Sequence, residues 1–181
     1  MRKVKVNLAE LTDALDNGFE DLTYYLDTET GETVLVTSEG NQHLEAIYEA
    51  MDGGEDEPRF NFEEALQQRN IPGRQQEMVR TADKIEEGFG TRFFRVPRSE
   101  SHDGYRDMED FIDGLPNARV QERLSDAIRG RGPFRRFKDV LLDYPTEREH
   151  WFAFQAARIR ERAIAWLADE GIEPITDQAQ P

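Results

Sequence analysis

The chain has 181 residues, of which 38 are acidic and 23 basic, for a net charge of −15. It contains no cysteine, which excludes disulfides, thiol nucleophiles, zinc–thiolate sites and iron–sulfur clusters. Hydrophobic residues make up 37%, and eleven Phe, five Tyr and two Trp are enough to fill a core, so wholesale disorder is excluded.

The run from Met1 to Leu8 starts basic but has no apolar stretch behind it, so no signal peptide is expected. No segment approaches the about 20 apolar residues of a membrane span. A cytoplasmic protein without membrane contact is the expectation. Charge is unevenly placed. Residues 1–57 carry 3 basic and 15 acidic groups, whereas residues 129–162 carry 9 and 5.

Asn7 or Thr12 opens a short predicted helix bearing Leu8, Leu11 and Leu15, closed by Asn17-Gly18. The segment 23–36 predicts a hairpin, with aromatic and β-branched runs on either side of Asp27-Thr-Glu-Thr-Gly31. A short helix is expected over 41–51. The acidic stretch 52–58 reads as a loop and a possible boundary. Helical patterns follow at 61–69 and 74–87, then a strand at 91–96 stopped by Pro97, as the third member of the sheet.

Beyond residue 103 the pattern is helical. Tyr105, Met108, Phe111 and Ile112 share one face, and Asn117 caps a helix facing inward through Val120, Leu124, Ala127 and Ile128. Pro133 starts a helix striped by Phe134, Phe137, Val140 and Leu141. The last helix spans about 146–170, opening on a capping box, Thr146-Glu-Arg-Glu149. Its apolar side is expected to hold Trp151, Phe152, Ile159, Ala163, Trp166 and Leu167. Residues 1–174 read as one domain, with 175–181 a frayed tail.

Chemistry-bearing motifs are sparse. No Walker A loop, G-x-G-x-x-G, G-x-S-x-G or H-E-x-x-H occurs. Glu147-x-x-His150 has di-iron spacing but no second copy. His43 stands alone. Asp103, Asp107 and Asp110 share a helix face beside His102, a spacing open to Mg²⁺ chemistry. The favoured reading is a solvated acidic face complementing the macrodipole. No cofactor is expected.

The densest motif is Arg129-Gly-Arg-Gly-Pro-Phe-Arg-Arg-Phe-Lys-Asp139, five cations in eleven residues. Arg129, Arg131, Arg135, Arg136 and Lys138 form the candidate contact for an anion or a partner. The favoured reading of the cations themselves is intramolecular, with their guanidiniums paired to the acidic N-terminal half. Arg158, Arg160 and Arg162 can widen the patch.

Leu26-Asp-Thr-Glu-Thr-Gly-Glu32, Tyr105-Arg-Asp-Met-Glu-Asp-Phe-Ile112, the Gly130–Asp139 segment and the Trp151-to-Leu167 helix, in that order, resemble an uncharacterised bacterial protein family. The family's usual residue at the Pro133 position is Ala, and both suit a first helical turn. The resemblance implies no activity, cofactor or partner.

The expected fold is α+β and predominantly helical, a small antiparallel sheet packed on a C-terminal helical bundle. The expected function is non-enzymatic: protein interaction or regulation through the 129–138 segment or the acidic N-terminal face. The alternative is a nucleic-acid-associated protein gripping phosphates through the same segment. A metal-dependent phosphodiesterase using the 102–113 acids is third.

Overall fold

The computed structural model describes residues 1–51 and 61–175; the expected loop at 52–58 and all but the first residue of the expected tail lie outside them. The chain starts with β1 (Arg2–Val4) and α1 (Leu8–Leu15). Asn7 caps α1, its side-chain oxygen accepting from the Glu10 amide at 3.4 Å. The hairpin follows as β2 (Leu22–Asp27) and β3 (Thr33–Thr37), with Tyr24 opposite Leu35 and Leu26 opposite Thr33. Three helices come next, α2 (Ser38–Met51), α3 (Phe62–Gln68) and α4 (Gly73–Glu87). The expected third strand forms β4 (Phe93–Arg95), antiparallel to β2, in the order β3-β2-β4. Then come α5 (Ser101–Asp113), α6 (Ala118–Ile128), α7 (Pro133–Leu141), α8 (Pro145–Asp169) and β5 (Ile172–Pro174). The fold is α+β and predominantly helical.

Four expectations need correction. Helix α2 opens three residues early, because the Thr37 hydroxyl accepts from the Gly40 amide at 3.1 Å and caps the turn. Helix α8 has no capping box: Pro145 occupies its first position and pre-sets the backbone, which leaves Thr146 inside the helix. Phe152 is not on the buried side of α8 but 51% exposed. A second sheet joins the two ends of the described chain where no strands were expected: β5 pairs in parallel with β1, and the Ile175 amide donates to the Val4 carbonyl at 2.7 Å. Val4 and Ile172, both buried, anchor that pairing in the core.

The buried side chains form three clusters. One joins both chain ends, with Val4, Val6, Leu11, Leu26, Ile159, Leu167 and Ile172. A second lies between the sheet and α2–α4, around Val36, Ile47, Leu66, Val79 and Phe93. The third unites α5–α8 through Phe111, Phe137 and Trp151, whose rings meet edge-on; the Phe137 and Trp151 centroids are 4.8 Å apart. That aromatic cluster fixes the orientation of α7, and with it the Arg-rich turn.

Candidate functional site: the Arg-rich turn between α6 and α7

Helix α6 ends at Ile128, and the chain reverses through Gly130 (φ 90°) and Gly132 (φ 68°), values that L side chains adopt only with strain. Pro133 then starts α7. The reversal folds Arg136 back over the end of α6. Its guanidinium donates to the carbonyls of Arg129 (2.8 Å) and Asp126 (3.2 Å). Arg136 is therefore the clamp of the turn, closing carbonyls that a helix end leaves open.

The other cations point outward. Arg129 pairs with Asp126 at 3.2 Å, and Arg135 reaches Asp139 at 3.8 Å with its side chain 90% exposed. Arg131 is exposed and has no ion pair or hydrogen bond among the described residues. Burial pushes the carboxyl of Asp16, at the C-terminal end of α1, above its ordinary value, and the charge of Lys138, which is exposed, partly offsets this. Among the described residues, the expected pairing of this turn with the acidic N-terminal half is thus limited to that one long-range influence. Other arginines perform the stapling: Arg92 binds Asp27, Arg98 donates to the carbonyls of Glu20 and Leu22, and Arg2 to that of Thr91.

The acidic face of α5 is solvated at Asp110 and partly at Asp103, but not at Asp107. Asp107 is buried, 2% exposed, and accepts from Arg158 Nε at 3.2 Å and Arg162 Nη2 at 2.5 Å, both on α8. Asp110 accepts from Arg158 Nη2 at 2.6 Å. Asp103 accepts from the Glu100 amide at 3.4 Å, and His102 Nδ1 lies 3.7 Å from its carboxylate. These carboxylates are answered by arginines and a helix start. Arg158 and Arg162 therefore bind inward and do not widen the basic patch. His150 is exposed, and His43 sits 3.9 Å from Glu39 one turn back on α2. Among the described residues no group of three or more His, Asp or Glu is placed to hold a metal ion.

The Leu26-Asp-Thr-Glu-Thr-Gly-Glu32 segment is a structural joint. Asp27, 3% exposed, accepts from Arg92 Nε (2.9 Å) and Nη2 (2.6 Å) and from the Glu29 amide (2.9 Å). Burial alone would raise its pKa. The Arg92 guanidinium and the backbone amides of Glu29 and Thr30 outweigh burial and hold the carboxyl below its ordinary value. Stability from this pair is complete above the unfolded-state value of about 3.9 and is lost as pH falls through the lower folded value. Asp27→Asn is therefore expected to be destabilised at pH 7, with its deficit narrowing on acidification to about pH 3. Urea unfolding of both proteins across that range checks this; a constant deficit would show that ionisation is not what matters.

The profile of an uncharacterised protein family, UPF0158, matches residues 69–181. A UPF0158 protein of Pseudomonas aeruginosa is 35% identical over 72 residues, which cover 40% of this chain and 47% of that protein. A UPF0158 protein of Chlamydia muridarum is 22% identical over 105 residues, covering 58% of this chain and 31% of its own length. The matched stretches thus span less than half of these curated relatives. No solved structure matches the chain.

Proposed function

This chain belongs to the UPF0158 family, and from that premise we propose that it is a non-enzymatic cytoplasmic interaction protein whose contact surface is the α6–α7 turn. Residues 1–174 act as one domain that presents the turn. The observation that carries the reading is the exposure of Arg131 and Arg135 on a turn clamped by Arg136 and the two glycines. Cations held on a rigid scaffold, with only weak local partners, bind without a large ordering cost. An acidic protein segment is the favoured partner, because its negative charge is sparser than that of polyphosphate and is repelled less by a chain of net charge −15.

A second reading has its own observation. Helix α7 has no side-chain cap bond at its start, so first-turn amides stand open between Arg131 and Arg135, a geometry suited to phosphate.

One experiment separates the two. Arg131→Glu/Arg135→Glu is expected to leave the unfolding midpoint unchanged, since neither side chain supports the fold. In affinity capture, a protein partner that survives nuclease and is lost in this variant supports the first reading. Capture of nucleic acid, weakening steeply with salt, supports the second. Capture unchanged by the double substitution overturns both.

A further inference from the structure

A groove of about 850 Å³ opens where the C-terminal ends of α1 and α8 meet β2 and the β4–α5 connection. It lies apart from the Arg-rich turn, and none of the turn's residues line it. Two half-buried aromatic side chains, Tyr24 and Trp166, form part of its wall. The Tyr24 phenol oxygen accepts from Asn17 Nδ2 at 2.8 Å, which fixes the ring.

The charges of the groove do not cancel. Glu20, Glu100 and Glu170 are exposed at its rim and have no ion pair among the described residues. Three carboxylates meet two guanidiniums: that of Arg98 is turned onto the carbonyls of Glu20 (2.5 Å) and Leu22 (2.9 Å), and Arg95 is exposed, so the side-chain balance is one negative charge. Two helices, α1 and α8, end at the groove, and each contributes the negative pole of its dipole. The opposing pole at the start of α5 is met by Asp103, which binds the Glu100 amide. Ser99 lines the same wall, and its hydroxyl oxygen is buried with no hydrogen-bond partner.

Aromatic faces beside carboxylates and helix C-termini are the arrangement that selects an organic cation: the rings cover an aliphatic stem and the carboxylates meet the charged head. We propose that this groove binds aliphatic ammonium groups, supplied by a free polyamine or by a lysine side chain of a partner.

The chain has two tryptophans, and Trp151 is 4% exposed, so a ligand-induced change in tryptophan emission reports on Trp166. Spermidine and a blocked dilysine peptide, titrated separately, are the two probes. Saturable quenching by either supports the proposal, and the tighter probe identifies the source. Glu20→Gln/Glu170→Gln is expected to weaken binding about tenfold. Glu45→Gln/Glu49→Gln removes the same charge from α2, away from the groove, and is expected to change it less than about twofold. Equal losses in the two variants would mean that only the long-range field of an acidic protein attracts the probes, and would overturn the site. So would the absence of any saturable signal from both probes.

Discussion

Gly31→Ala is expected to lower stability by more than about 3 kcal/mol, the largest effect of any single glycine substitution in the described chain. Gly31 closes the β2–β3 turn at φ 78°, its amide donating to the Asp27 carbonyl at 2.7 Å. The backbone of Lys5 crosses directly over it. A Cβ built on Gly31 would lie 1.7 Å from the Lys5 carbonyl oxygen and 2.7 Å from its carbonyl carbon. No rotamer relieves a clash between two backbones. Relief requires moving the 5–7 segment, and that breaks the bond from the Asn7 amide to the Gly31 carbonyl (2.9 Å) and disturbs the residue that caps α1. Gly130→Ala is the matched control. It has φ 90°, but its Cβ would meet only Arg136 Nη1, at 3.9 Å, so the conformational strain alone remains, about 1 kcal/mol. Urea unfolding followed by circular dichroism measures both; similar losses for the two would refute the crossing at Lys5 as the cause.

The same crossing shows where sequence reasoning reaches and where it stops. The hairpin was legible because Thr23–Leu26 and Thr33–Val36 are aromatic and β-branched on either side of a turn whose Gly supplies a positive φ. Strand β4 was legible from Phe93, Phe94 and the stop at Pro97. Strands β1 and β5 were not. Each is three residues long, too short to show a period of two, and each finds its partner at the opposite end of the chain. Their extended state is imposed by burial of Val4 and Ile172, which local propensity does not report.

The Arg-rich turn was visible as a motif, yet its five cations look equivalent in sequence. Only the path through Gly130 and Gly132 distinguishes Arg136, which clamps α6, from Arg131 and Arg135, which face solvent. The ammonium-binding groove has no sequence signature at all, since its walls come from α1, β2, the 95–101 segment and α8. Asp107 was misread because periodicity analysis follows apolar stripes. The missing signal was on α8, where Arg158 and Arg162 stand four residues apart on one face and await a common anion.

That pairing supports the second large prediction, that Asp107→Ala costs about 3–5 kcal/mol. Both guanidiniums converge on one oxygen of a carboxylate that is 2% exposed. Remove it and two like charges, with side chains 32% and 26% exposed, face each other across one helical turn with half their acceptors gone. Asp110 still holds Arg158 at 2.6 Å, but nothing among the described hydrogen bonds replaces the partner of Arg162. Asp110→Ala is expected to cost less than about 1 kcal/mol, because its side chain is 47% exposed and water replaces the lost contact. The triple replacement Asp107→Leu/Arg158→Met/Arg162→Leu tests the origin of the loss. If the cost arises from stranding two half-buried cations, removing them with their anion restores most of the stability. If the triple variant is as unstable as Asp107→Ala, the network acts through shape, setting the angle between α5 and α8 that the aromatic cluster of Phe111, Phe137 and Trp151 requires. Denaturant unfolding of the four proteins decides between charge and shape.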